Sequence, residues 1–258
     1  EMSNKREEGE LVKFLLKFSD GLESESVLIP MEAGITICIY SQVGCKMGCA
    51  FCETGKMGLI RHLSCEEIVA QIFWARFGLE KGLRNIVFMG MGEPLLNYKN
   101  VLKSIEKIIS PQGMAMSPKR VTVSTAGVAK GIRQLGDDKV KFKLALSLHA
   151  ANDQKRHEIM PINDTNNIQS LIEAMNYFYK QTENEITFEY ILFKDFNDSL
   201  KDADELIKLY RQVPADLVNI IEYNPIEFAK FEKPEEDKVQ AFMEYLGKHR
   251  VNARLRRS

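Results

Sequence analysis

Cys45, Cys49 and Cys52 fall within eight residues, Cys45-Lys46-Met47-Gly48-Cys49-Ala50-Phe51-Cys52, where a hydrophobic run gives way to a glycine-containing loop. Three thiolates at this spacing can hold three corners of an iron–sulfur cube, and no further cysteine lies close by to take the remaining corner. One iron is then open to an outside ligand, which makes the cluster a chemical tool, whereas a fully ligated cluster is a staple or an electron carrier. Structural zinc is the rival reading, but it wants four ligands, commonly as two close pairs. No second pair exists here and the histidines lie far off, so a 4Fe-4S cluster is preferred.

The other polar candidates are Gly90-Met91-Gly92-Glu93-Pro94, Ser124, Ser147-Leu148-His149 and Glu222-Tyr223-Asn224-Pro225. Gly90-x-Gly92 lacks the third glycine of a dinucleotide loop and runs into Pro94, so its glycines are read as letting backbone approach a ligand, with Glu93 accepting from an amine. Taken singly, His149 is equally a satisfied core histidine, and Ser124 and Ser147 equally ordinary strand residues. His62, His157 and His249 read as structural or exposed, and Cys65, at a helix start, as a small hydrophobe.

The elements that must carry these residues alternate strand and helix. Ile35 to Val43 reads as one strand, with Ile35, Ile37 and Ile39 on one face and Thr36, Cys38, Tyr40 and Gln42 on the other. Ser64-Cys65-Glu66-Glu67 has the form of a capping box. Further strands are expected at 85–91, 120–125, 141–149, 185–193 and 217–222, with helices near 98–109, 128–135 and 168–180, after Ser199 and from Pro234. A last β segment is expected at 251–255. Such alternation implies parallel strands with right-handed crossovers. The small polar face of Ala145, Ser147 and His149 speaks for an open lumen over a sheet covered on both sides. The expected fold is therefore α/β, a partial (β/α)6 barrel. An N-terminal β-hairpin extension over residues 1–34, from segments at 11–18 and 25–30, precedes the barrel of 35–258. Ligands of such folds bind at the carboxyl ends of the strands, where every candidate above lies.

Composition sets broad bounds. The chain has 258 residues, 45% of them hydrophobic, and a formal net charge of -1, so no global field draws it onto nucleic acid. Basic clusters at Lys119-Arg120, Lys155-Arg156 and 248–257 are first read as solvated faces. Five cysteines, three of them bunched, argue for a reducing compartment, and no apolar run reaches the roughly 18–20 residues of a membrane span. The cytoplasm is the expected location. Glu1 before Met2 suggests a fragment or a tag remnant.

The cysteine triplet after the first barrel strand, followed by a Gly-Glu strand end, resembles the radical S-adenosylmethionine superfamily. Ser41-Gln42-Val43-Gly44-Cys45, Phe88-Met89-Gly90-Met91-Gly92-Glu93-Pro94-Leu95-Leu96-Asn97, Val121-Thr122-Val123-Ser124-Thr125, Ser147-Leu148-His149-Ala150 and Met160-Pro161-Ile162-Asn163 are very similar to its RlmN and Cfr group of RNA adenosine methylases.

The resemblance implies that Cys45, Cys49 and Cys52 hold the 4Fe-4S cluster and that S-adenosylmethionine fills the open iron. Gly92, Glu93, Ser124, Ser147, Leu148, His149 and Asn224 match cofactor-contacting positions. Reduction yields a 5′-deoxyadenosyl radical, which takes a hydrogen from a methyl group parked on a C-terminal cysteine, and the carbon radical adds to adenine. Cys38 matches the cysteine that resolves the protein–RNA crosslink, and Glu25 the proposed proton acceptor. The implied activity is adenine-C2 methylation of large-subunit (23S) ribosomal RNA, with tRNA as a second substrate. Its partners would be RNA and an electron donor such as flavodoxin or ferredoxin, and the chain is expected to act as a monomer without a membrane. The methyl-carrying cysteine is expected beyond Ser258, and the helical N-terminal domain that typical members of the group place before the barrel is missing from these 258 residues. The competing readings are a Cfr-like C8 methylase and a non-catalytic, metal-stapled RNA-binding module. Lys119, Arg120, Lys155 and Arg156 are the nearest candidates for RNA backbone contacts.

Overall fold

The computed structural model describes residues 1–227 and 229–257, which divide into two compact units. The first comprises Glu1–Lys46, Met57–Ser124 and Lys141–Lys143, and the second Met47–Lys56, Thr125–Val140 and Leu144–Ser258.

The first unit opens with an antiparallel meander of β1 (Met2–Glu8), β2 (Leu11–Lys17) and β3 (Glu23–Met31). Val12, Phe14 and Leu16 of β2 are buried at alternate positions, the period-two signature of a half-buried strand. The expected hairpin is thus three strands; β1, Met-Ser-Asn-Lys-Arg-Glu-Glu, carries no such apolar alternation to announce it. β3 pairs antiparallel with β4 (Gly34–Cys38), and from β4 onward the pairing turns parallel. Antiparallel β5 (Gln42–Cys45) and β6 (Gly58–His62) form a separate ribbon, with Cys45 opposite Gly58. Between them in sequence lie the cysteine loop and the one-turn α1 (Glu53–Met57).

The strand expected across 35–43 is therefore two strands with a break. Gln71 of α2 (Cys65–Phe73) occupies both backbone groups of Tyr40, accepting its N–H at 2.8 Å and donating to its carbonyl at 2.9 Å, so the ladder cannot continue there. The Ser64/Glu67 capping box forms as expected and fixes the start of α2. β7 (Leu83–Phe88) lies parallel to β4 and to β8 (Val121–Thr125), and α3 (Tyr98–Ile109) buries Val101, Ile105 and Ile108.

The second unit carries α4 (Ala129–Asp137), β9 (Lys143–Ser147), α5 (Asp153–Ile159), α6 (Ile168–Thr182), β10 (Ile186–Leu192), α7 (Leu200–Tyr210), β11 (Leu217–Glu222), α8 (Glu236–Lys248) and β12 (Ala253–Arg256). β9, β10, β11 and β12 are parallel neighbours in that order. Their register puts Ser147 beside Glu189 and Glu189 beside Asn219, so these side chains share one face. α5 was not expected, and Asn152 caps it by accepting Lys155 N–H at 2.9 Å.

Candidate active site

In the first unit, chemistry gathers where β4 and β7 end. Glu25 lies on β3 two residues from Val27, which pairs with Cys38, so Glu25 and Cys38 occupy one face. The Tyr40 hydroxyl donates to Glu25 at 3.4 Å. Burial pushes the Cys38 thiol up to about 12, and the Glu25 charge pushes the same way, so Cys38 is protonated at neutral pH.

Gln42, wholly buried, organises the next turn. Its Oε1 accepts the Glu93 N–H at 2.8 Å, and its Nε2 is 2.9 Å from His62 Nδ1, which must then be the accepting nitrogen. Gly92 has φ of +102°, and a Cβ there would lie 2.6 Å from Gln42 Cβ, so only glycine fits. The buried Glu93 carboxylate accepts from Leu95 N–H at 3.0 Å, capping a short 3-10 turn. Asn97 Nδ2 donates to the Ser41 and Leu63 carbonyls, both at 2.7 Å, and ties the end of this turn to the start of β5. Ser124 is buried near the end of β8.

In the second unit, the loop carrying Cys49 and Cys52 is anchored to α5. Ala50 N–H donates to Ile159 O at 2.9 Å, and Cys52 N–H to Cys49 O at 3.1 Å. Phe51 packs edge-on to His149, centroids 4.8 Å apart, and against Phe193 at 5.5 Å. His149 sits at φ +55° just past β9. Its Nδ1 accepts Ile191 N–H at 3.1 Å, while Asn197 Nδ2 donates to its carbonyl at 2.7 Å. Burial, with the Arg156 charge behind it, brings the imidazole down to about 3, so it is neutral with its proton on Nε2. Leu148 is fully buried, and both its backbone groups are engaged, N–H to Glu189 O and carbonyl from Arg156. Ser147 is half-buried, and Asn224 is exposed beyond β11.

One expected RNA contact is overturned, and a second, half-buried, is drawn into an internal ion pair. Arg156 is fully buried, its guanidinium spent on internal carbonyls, and Lys155 is tied to the buried Asp202 carboxylate at 2.5 Å and to Phe196 O. Lys119 is exposed and Arg120 half-buried, so these two stay available.

Gln71, Asn197 and Glu189 were not singled out from the sequence, and Arg156 was read there only as an RNA contact. Asn197, wholly buried, also accepts Phe193 N–H at 2.7 Å. The Glu189 carboxyl is pushed up to about 7 by burial, against hydrogen bonds from Asn219 at 2.8 Å and Thr187 at 3.3 Å. Asn219 in turn accepts from Arg256 Nε at 3.0 Å. A glutamate inside an apolar strand pattern was the available signal for Glu189.

None of the five cysteines is joined in a disulfide. Among the described residues no three His, Cys, Asp or Glu side chains are drawn together as a cage for a single ion. The donor set, three thiols within eight residues with the Cys49–Cys52 loop tied to α5, suits a cluster that borrows its remaining ligand from outside the chain.

A model of the radical SAM superfamily matches residues 39–209. The probable dual-specificity RNA methyltransferase RlmN of Cytophaga hutchinsonii is 49% identical over 251 residues, covering 96% of this chain and 68% of that protein. The dual-specificity RNA methyltransferase RlmN of Nautilia profundicola is 41% identical, covering 95% and 73%. Among solved structures, a radical SAM methyltransferase from Sphaerobacter thermophilus superposes with a TM-score of 0.95 at 37% identity, over 100% of this chain and 77% of that one. Streptococcus suis SuiB bound to S-adenosylmethionine shares the fold alone, with a TM-score of 0.63 at 16% identity over 86% and 49%.

Proposed function

The chain belongs to the radical SAM superfamily and, within it, to the RlmN RNA methyltransferases, and on that premise we propose that it methylates C2 of adenine in large-subunit (23S) ribosomal RNA and in tRNA. The family works with a 4Fe-4S cluster and S-adenosylmethionine. Once bound, these supply a one-electron reductive cleavage that delivers an organic radical to the target carbon.

Cys45, Cys49 and Cys52 would hold the cluster, and Glu93, Ser124, Ser147, His149 and Asn224 would position S-adenosylmethionine. Gly92 shapes the turn that presents Glu93, and Leu148, bonded through its N–H to Glu189 O, holds the strand end between Ser147 and His149 in place. A neutral His149 with Nδ1 occupied offers an N–H donor and no charge, suited to a hydroxyl or ring nitrogen. The division into a β extension over 1–34 and a catalytic part over 35–258 follows the change from antiparallel to parallel pairing at β4.

The observation that carries the methyl-transfer reading is that Glu25 and Cys38 share one face of the sheet, with the Tyr40 hydroxyl bonded to Glu25. A protonated thiol beside a carboxylate can give up its proton there and become the nucleophile that resolves a protein–RNA adduct. Large-subunit RNA from a strain lacking the gene should lose 2-methyladenosine, measured by mass spectrometry of its nucleosides. The wild-type gene should restore it and a Cys38→Ala version should not. Recovery of 8-methyladenosine instead would make the enzyme Cfr-like. An unchanged nucleoside profile, with no 5′-deoxyadenosine formed in vitro, would leave a metal-stapled RNA-binding module.

Substrate RNA would meet Lys119 and Arg120 through its phosphates. No helix among the described residues is long and apolar enough to cross a membrane. A cytoplasmic monomer fed electrons by flavodoxin or ferredoxin completes the proposal.

A further inference from the structure

Arg156 lies in the middle of α5, its side chain fully buried. Its guanidinium donates to Leu148 O at 3.2 Å, Asn163 Oδ1 at 3.0 Å, Ala126 O at 2.6 Å and Ser147 O at 3.2 Å. All four acceptors are neutral oxygens. Among the described residues no carboxylate bonds it directly. Hydrogen bonding is thus met while charge is not, an arrangement that costs several kcal/mol for a buried ion unless an opposite charge answers it.

Two groups answer it in part. A guanidinium stays protonated even when buried, and the charges that reach it are those of Cys49 first and then Asp153. Asp153 is already committed: its Oδ1 accepts from Asn163 at 2.9 Å and from Ile168 N–H at 2.8 Å, and its contact with Arg156 runs only through Asn163. Cys49 is held on the other side. Its neighbour Ala50 is bonded to Ile159 of the same helix, and Cys49 packs against the cluster of Ala150, Ile159 and Met160. A rigid cation with no carboxylate of its own therefore lies within the field of a thiol expected to carry iron.

We propose that Arg156 is the built-in counter-charge of the iron–sulfur cluster, a fixed guanidinium that makes the cluster easier to reduce. The proposal rests on the reading of Cys49 as a cluster ligand. With three thiolates, a 4Fe-4S cluster bears one negative charge when oxidised and two when reduced, and reduction adds one electron from the external donor and no proton. A nearby buried cation stabilises the doubly charged form more than the singly charged one, so it raises the reduction potential. The same four hydrogen bonds keep the charge in place through the redox cycle, since a guanidinium stays protonated where a lysine or histidine can lose its proton.

The test is an EPR-monitored redox titration of the anaerobically reconstituted full chain without S-adenosylmethionine, alongside iron content and thermal unfolding. Arg156→Gln should make reduction about tenfold less favourable, a shift of about 59 mV to more negative potential for one electron. Arg156→Lys, which loses the fork and carries a charge it can lose on burial, should lie between the wild-type and Arg156→Gln midpoints, although both variants melt earlier. An unmoved midpoint in a folded Arg156→Gln chain would show that Arg156 only clamps strand ends, and would overturn the proposal. Should that variant fail to fold, Asp153→Asn leaves the four bonds of Arg156 in place, removes the charge that offsets it and should move the midpoint positive. No movement there overturns the proposal equally. A wild-type chain that takes up no iron refutes the cluster assignment as well, and iron content tells the two failures apart.

Discussion

Gln42 and Glu93 are joined by a hydrogen bond from the Glu93 backbone N–H to the Gln42 amide oxygen, 2.8 Å long and buried, 51 residues apart in sequence. The bond needs Gly92 between β7 and Glu93, because any side chain at 92 would meet Gln42. Gly92→Ala must also hold φ near +102°, so it should cost about 2–4 kcal/mol, the sum of left-handed strain and a displaced amide. Thermal unfolding should report a drop of roughly 5–12 °C for a chain of this size. Because the turn presents Glu93, binding of S-adenosylmethionine, followed by equilibrium dialysis, should weaken more than it does in Gly82→Ala, where an added methyl meets nothing.

His149 should give the protein an acid limb. Its folded pKa, about 3, lies below the ordinary value of 6.5, so the unfolded chain takes up the proton first. Its contribution is present above pH 6.5 and is lost as pH falls toward 3. Between pH 7 and 5 the loss should be about 2 kcal/mol, read from urea midpoints. His149→Asn, which tolerates the positive φ and keeps an acceptor, should flatten that limb. An equally steep limb in the variant would assign the acid sensitivity to other groups.

Glu189 should act with the opposite sign. Its carboxyl, at about 7 and above the ordinary 4.5, is favoured protonated, so its contribution is complete below pH 4.5 and is lost as pH rises through 7. Glu189→Gln keeps the bond to Asn219 and cannot ionise, so at pH 8 it should be more stable than the wild type by about 1–3 kcal/mol. At pH 4.5 the two should melt alike. A variant less stable at pH 8 would show that the ionised form is the one the fold prefers.

These two groups also mark where sequence reasoning reached and where it stopped. The strand–helix alternation, the break to polar residues at strand ends and the Ser64/Glu67 box are local patterns of two, three or four residues, and the structure has them close to where they were expected. The broken first strand was not legible, because its cause is Gln71, 31 residues away, competing for the backbone of Tyr40. Arg156 was misread for a similar reason. Lys155-Arg156 looks like a solvated basic pair, but one turn of helix points its second member at the carbonyls of Ala126, Ser147 and Leu148. Side chains that serve distant backbone leave no periodicity, so chain order alone could not separate them from surface residues.

Cys38 offers a direct check on the proposed resolving role. A thiol at about 12, against 9.0 for an ordinary cysteine, holds roughly a thousandth of the usual thiolate at neutral pH, and only thiolate is alkylated. In the metal-free chain, iodoacetamide should therefore label Cys38 about a thousandfold more slowly than an unhindered thiol at pH 7.5, with the rate climbing about tenfold per pH unit and levelling off only near pH 12. Burial is the larger cause and Glu25 the lesser, so Glu25→Gln should speed labelling modestly, by several-fold, without restoring ordinary reactivity. Peptide mass spectrometry separates Cys38 from the loop cysteines. Rapid labelling at pH 7.5 would mean that the thiolate is already available in the resting protein, and that Glu25 is not needed to draw its proton away.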